Sequence, residues 1–71
     1  MNPTEIKRLQ TYLQTKFGNT KLTLNTRKED KDSLEVMLAG EFIGTIYRDE
    51  DEGDVSYDFN MAIHDMDLPA A

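Results

Sequence analysis

A chain of 71 residues with fourteen acids, eight bases and no cysteine carries a net charge of −6. That length supports one domain around one small core, without disulfide or zinc–thiolate reinforcement, and the negative balance argues against gripping a phosphate backbone, so no nucleic-acid partner is expected. No run reaches the roughly 18 apolar residues of a spanning helix, and the first residues lack the basic-then-apolar pattern of an export signal, so a soluble cytoplasmic protein without a membrane partner is expected.

Asn2-Pro3-Thr4-Glu5 has the chemistry of a helix start: Asn2 as N-cap, Pro3 at the first helical position, and Glu5 at the reciprocal position of a capping box. Ile6, Leu9, Leu13 and Phe17 then recur at spacings of three and four, one apolar face of a 3.6-residue period, and Gly18-Asn19 is a stop signal. The spacing predicts a helix over about 3–17. Beyond it the period becomes two. Leu22 and Leu24 alternate with polar residues in a strand over about 20–26, and the wholly charged stretch Arg27 to Asp32 is a solvated connection. A second strand follows over about 34–39, a hairpin at Gly40-Glu41, and a third strand over about 42–48. After a turn at Asp49 to Asp54 comes a fourth strand over about 55–63, in which Val55, Tyr57, Phe59, Met61 and Ile63 alternate with smaller or polar side chains. Residues 65–71 form a frayed tail. The expected fold is α+β in a single domain over 1–71, one N-terminal helix packed on a four-stranded antiparallel meander.

Strands two and three carry more apolar residues than one covered face requires. If Leu38 pairs with Phe42, then Leu34, Val36, Leu38, Phe42 and Ile46 share a face, leaving Met37, Ile43 and Tyr47 on the other. A two-residue turn at Gly40-Glu41 instead puts Phe42 and Ile46 outside. In either register an uncovered apolar set remains, and such sets mark interfaces. Met37, Ile43 and Tyr47 are therefore the candidate partner-binding residues, for an unknown protein partner or a second copy of the chain. Gly44 lies inside a strand, where glycine marks a bulge or a close approach; pairing Arg48 with Val55 sets it opposite Phe59, whose ring can cover it.

Charge is divided along the chain: seven of the eight bases precede Ser33 and ten of the fourteen acids follow it. Five carboxylates fall within Asp49 to Asp54. Oxygen-rich turns bind hard cations, so Asp49, Asp51 and Asp54 form a candidate site for weak divalent-cation binding, although glycine and glutamate do not fall where an EF-hand loop needs them. His64 has no nucleophile or second imidazole beside it, Ser33 and Ser56 have no evident base, and no glycine-rich phosphate loop exists; an enzyme and a bound cofactor are not expected.

The run Gly40-Glu41-Phe42-Ile43-Gly44-Thr45-Ile46-Tyr47-Arg48-Asp49-Glu50-Asp51-Glu52-Gly53, with Ser56-Tyr57, Met61-Ala62-Ile63 and Asn2-Pro3-Glu5-Ile6, resembles a small alphaproteobacterial family catalogued as a domain of unknown function. The resemblance covers nearly the whole chain and implies a bacterial cytoplasmic setting, with no activity, cofactor or catalytic residue attached. The expected function is a non-enzymatic interaction module, self-associating through the sheet face; the alternative is cation binding at the acidic turn.

Overall fold

The helix begins and ends where its capping chemistry dictates. In the computed structural model, which describes residues 1–70, α1 spans Pro3–Phe17. Asn2 accepts a hydrogen bond from the Glu5 amide through Oδ1 at 2.7 Å. At the other end Gly18 is left-handed (φ 62°), and the Gly18 and Asn19 amides donate to Thr15 and Gln14 carbonyls. This paired return satisfies carbonyls that the helix leaves orphaned, and glycine adopts it without steric cost.

Four strands follow: β1 Leu22–Thr26, β2 Ser33–Leu38, β3 Glu41–Asp51 and β4 Asp54–Asn60. They pair antiparallel in the spatial order β1-β2-β3-β4, so the expected α+β meander is the observed fold. The boundaries differ where charge misled. Asp49 to Asp51 belong to β3 and Asp54 opens β4, so only Glu52-Gly53 turns. Both central residues have positive φ, 53° and 87°, and the Ala39-Gly40 turn repeats this at 51° and 84°. Turns of this mirror-image kind match the twist of a hairpin, which is why two residues suffice.

The β2–β3 register resolves the two faces in a way neither expected register does. Leu38 pairs with Glu41 and Met37 with Phe42, then the ladder shifts so that Val36 pairs with Gly44. Ile43 is the extra residue of a β-bulge. Ile46 is consequently buried (1 % exposed) while Phe42 is 54 % exposed. The bulge turns Ile43 toward the core, which it packs against together with Ile6, Leu9, Leu38 and Phe59. The core itself is Leu13, Leu22, Leu24, Leu34, Val36 and Ile46; burying each such side chain contributes about 1.5–3 kcal/mol before entropy is charged.

Strand β4 ends at Asn60 rather than Ile63 because the same bulge disrupts its neighbour. Arg48 pairs with Tyr57 and Ile46 with Phe59, two places from the expected register, and the last pair is Thr45 with Asn60. The Phe59 ring still covers Gly44, reaching it diagonally: a Cβ on Gly44 would lie 2.6 Å from Phe59 Cε1 and 2.5 Å from the Asn60 carbonyl oxygen. Met61 and Ile63 therefore leave the sheet exposed, and Asp65–Asp67 form a single 3-10 turn. The β3–β4 hairpin runs on past the end of β2, whose Ser33 pairs with Tyr47, as a two-stranded arm.

Candidate functional site

The position of α1 is decided by two glutamines. Gln10 and Gln14 are four residues apart and so share one helix face. Gln10 Oε1 accepts from the Leu24 amide at 2.9 Å, and Gln14 Nε2 donates to the Thr20 and Leu22 carbonyls at 3.2 and 2.9 Å. These bonds fasten the helix to the free edge of β1 and satisfy backbone groups that an edge strand otherwise leaves open. The helix backbone comes close to β1 alone among the strands. Its covering of the sheet is lopsided: β1 and β2 are roofed, and the β3–β4 side is left open.

What lies under that missing roof is an open groove of about 510 Å³. Leu13 and Ile46 form its floor, Leu9 and Tyr12 its helix wall, and Val55, Tyr57 and Phe59 its β4 wall. Tyr12 and Val55, on opposite walls, stay 58 % and 43 % exposed. Phe17 closes one end through an edge-to-face contact with Phe59, with ring centroids 6.3 Å apart.

The other end is polar. Glu5 Oε2 accepts from Arg48 Nε at 2.9 Å and from the Tyr57 hydroxyl, while Arg48 NH2 donates to Glu50 at 2.8 Å. The Tyr57 hydroxyl holds the Glu5 carboxyl below the usual carboxylate range, with Arg48 and the Asn2 amide adding to it against the opposing effect of burial. Glu5 in turn raises the Tyr57 phenol, reinforced by desolvation. The hydrogen bonds that Arg48 donates to Glu50 and Glu5 raise its guanidinium further above neutrality. The cluster braces the helix start against the β3–β4 arm. Arg8 also lines this end, and among the described residues it makes no salt bridge.

The residues singled out in the sequence are dispersed by comparison. Met37 and Tyr47 do lie on the face away from the helix, Tyr47 43 % exposed, where Phe42 joins them. Ile43 is on the opposite side, packed against the core. The rest of the outer face is polar, with Glu35, Thr45, Asp58 and Asn60 in the paired positions. Asp49, Asp51 and Asp54 share that outer face by strand alternation, and Asp51 pairs directly with Asp54. Among the described residues no group of three or more His, Cys, Asp or Glu is placed to hold a metal ion. His64 is exposed at the start of the 3-10 turn. Among the described residues no helix is long and apolar enough to cross a membrane.

Fold and groove together define a small α+β protein whose sheet is half covered by its single helix. The chain belongs to the family described as "Protein of unknown function (DUF3126)", whose model matches residues 5–67. No curated protein and no solved structure matches it.

Proposed function

We propose that this chain is a non-enzymatic protein-interaction module of the bacterial cytoplasm, and that its docking surface is the groove between α1 and β4. The carrying observation is the lopsided roof: five wall residues, with Tyr12 and Val55 exposed among them, stand over the buried Leu13 and Ile46 beside an unpaired sheet edge. An extended segment can use both features at once, its backbone bonding to the β4 edge and its alternate side chains entering the groove. The groove contains no nucleophile–base pair, and its one carboxylate is already engaged by Tyr57 and Arg48. This reading moves the binding surface from the outer face around Met37 and Tyr47 to the helix side of the sheet. The outer face offers three apolar side chains in a polar field, a number that needs no partner.

Selection of random peptides on the folded protein tests the proposal. Selected sequences should alternate apolar residues, should shift the amide signals of Leu9, Tyr12, Val55 and Tyr57, and should lose at least tenfold in affinity to Val55→Glu. Val55 is exposed enough for that substitution to leave the fold intact. Peptides that shift Met37, Phe42 and Tyr47 instead, or bind Val55→Glu unchanged, would overturn it.

A further inference from the structure

The C-terminal segment is the least covered part of the molecule. Met61, Ile63, Met66 and Leu68 are all exposed, Met66 at 88 %, although four large apolar side chains in eight residues is the density of a core strand. Met61 and Ile63 also continue the period-two stripe of Val55, Tyr57 and Phe59 that lines the groove. Resting on the docking reading above, we infer that the groove's occupant is this segment, residues 61–68, from a second copy of the chain.

Three observations fit that occupant. The first is charge. Residues 61–68 carry Asp65 and Asp67 with no Lys or Arg, while the groove presents Arg8 without a salt bridge among the described residues, on a helix that also carries Lys7 and Lys16. The division of charge along the chain, basic first and acidic last, favours contact between the first part of each copy and the last part of the other. The second is conformation. The backbone at His64 is extended (φ −89°, ψ 143°), and residues 61–64 are free of the sheet, so they can lie along the free edge of the partner's β4. The third is area. A stable dimer needs about 800 Å² buried on each partner, roughly a seventh of this chain's 5728 Å². An exchange in which each copy gives a segment and receives one uses the donor and acceptor surfaces of both, and it closes with two-fold symmetry.

The chain has no native cysteine, so an Ala70→Cys variant carries one nitroxide label at a defined place. Labelled protein at natural isotopic abundance, mixed with unlabelled 15N protein, reports only contacts between molecules. The expected result is broadening at Tyr12, Val55 and Phe59 of the 15N copy, together with a dimer in sedimentation equilibrium. Arg8→Glu should weaken that dimer about tenfold, and adding Asp65→Lys and Asp67→Lys to the same chain should restore it. A monomer at every concentration overturns the inference. So does broadening confined to Met37, Phe42 and Tyr47, or broadening only when label and isotope share one molecule, which would mean that the segment folds back on its own groove. If selected peptides still enter the groove while the label reports no contact between copies, this inference fails and the docking reading stands. If neither occurs, both fail.

Discussion

Replacing Gly44 with alanine adds one methyl group where the fold has no space for it. The new Cβ would stand 2.5 Å from the Asn60 carbonyl oxygen and 2.6 Å from Phe59 Cε1. A ring edge can swing aside, but the carbonyl belongs to the last residue of β4, so relief requires the Thr45–Asn60 end of the ladder to open. Overpacking of this kind costs about 1–3 kcal/mol, and the opposing gain from stiffening the unfolded chain is about 0.4–1 kcal/mol. With the steric term at its upper end because backbone must move, the net loss is about 2 kcal/mol. A small single core supplies about 3–5 kcal/mol in total, so the variant should keep about a third to three fifths of its stability. Urea unfolding followed by far-UV circular dichroism measures this directly. With a slope of about 1 kcal/mol per molar, the midpoint should fall by about 2 M. The companion Gly44→Ala, Phe59→Leu removes the ring edge and leaves the carbonyl, so it should recover little. A neutral or stabilised Gly44→Ala would refute the close-approach argument, and full recovery in the double variant would show that the ring, not the backbone, is the obstacle.

Glu5→Gln should destabilise by about 1 kcal/mol, since it replaces a charged acceptor at a partly covered hydrogen bond. The Glu5 carboxyl is held low in the folded state, so its stabilisation is present above the unfolded value of about 4.3 and is lost as pH falls through the folded one; the Tyr57 phenol is held high, so its share is present below about 10 and lost as pH rises beyond it. Unfolding curves from pH 3 to 11 should therefore show the wild-type advantage over Glu5→Gln flat in between and narrowing at both ends; an advantage independent of pH contradicts this. Gln10→Ala removes the acceptor of the Leu24 amide, whose hydrogen exchange should quicken at least tenfold relative to Val36; unchanged protection would mean the glutamine does not hold the helix. Ala39→Asn should stabilise by about 0.5–1 kcal/mol in thermal unfolding, because φ of 51° is unfavourable for alanine and tolerated by asparagine.

The parts of this fold that were legible in the sequence are those whose signals are local. The helix bounds follow from Asn2-Pro3 and Gly18-Asn19, which act within one turn of the residues they cap. The buried apolar positions of β1 and β2, Leu22, Leu24, Leu34 and Val36, follow from alternation, which a strand imposes on neighbours; buried Ser33 beside Leu34 does not. The groove was not legible because its parts are assembled at long range. Glu5 meets Arg48 and Tyr57 across 43 and 52 residues, and nothing near any of the three signals the others. Gln10 and Gln14 carry no local signal of their role, yet their bonds to β1 fasten the roof where it sits. The bulge at Ile43 is the clearest failure: alternation predicts one phase for the whole strand, and a single extra residue changes that phase between Phe42 and Gly44. The acidic stretch failed for the opposite reason. Its charge is a statement about solvation, and an exposed hairpin arm is as well solvated as a loop.

The two edges of this sheet are finished in different ways, and the docking proposal follows from that difference. An antiparallel sheet of four strands has two rows of unpaired backbone groups, and each must be satisfied by water, side chains or another chain. At β1 the helix provides side chains, with Gln10 and Gln14 bonding to backbone groups on either side of Thr23. At β4, among the described residues, no strand pairs with the outer edge. Repulsion does discourage pairing near the tip, where Asp51 and Asp54 already face each other and another acidic arm would add like charge. That protection ends at Val55. From Val55 to Asn60 the groove side of the edge is apolar, and its one charged neighbour without a salt bridge, Arg8, is positive. An extended strand with alternating apolar residues and a negative end meets each of these conditions. The segment that follows β4 in this chain has that composition.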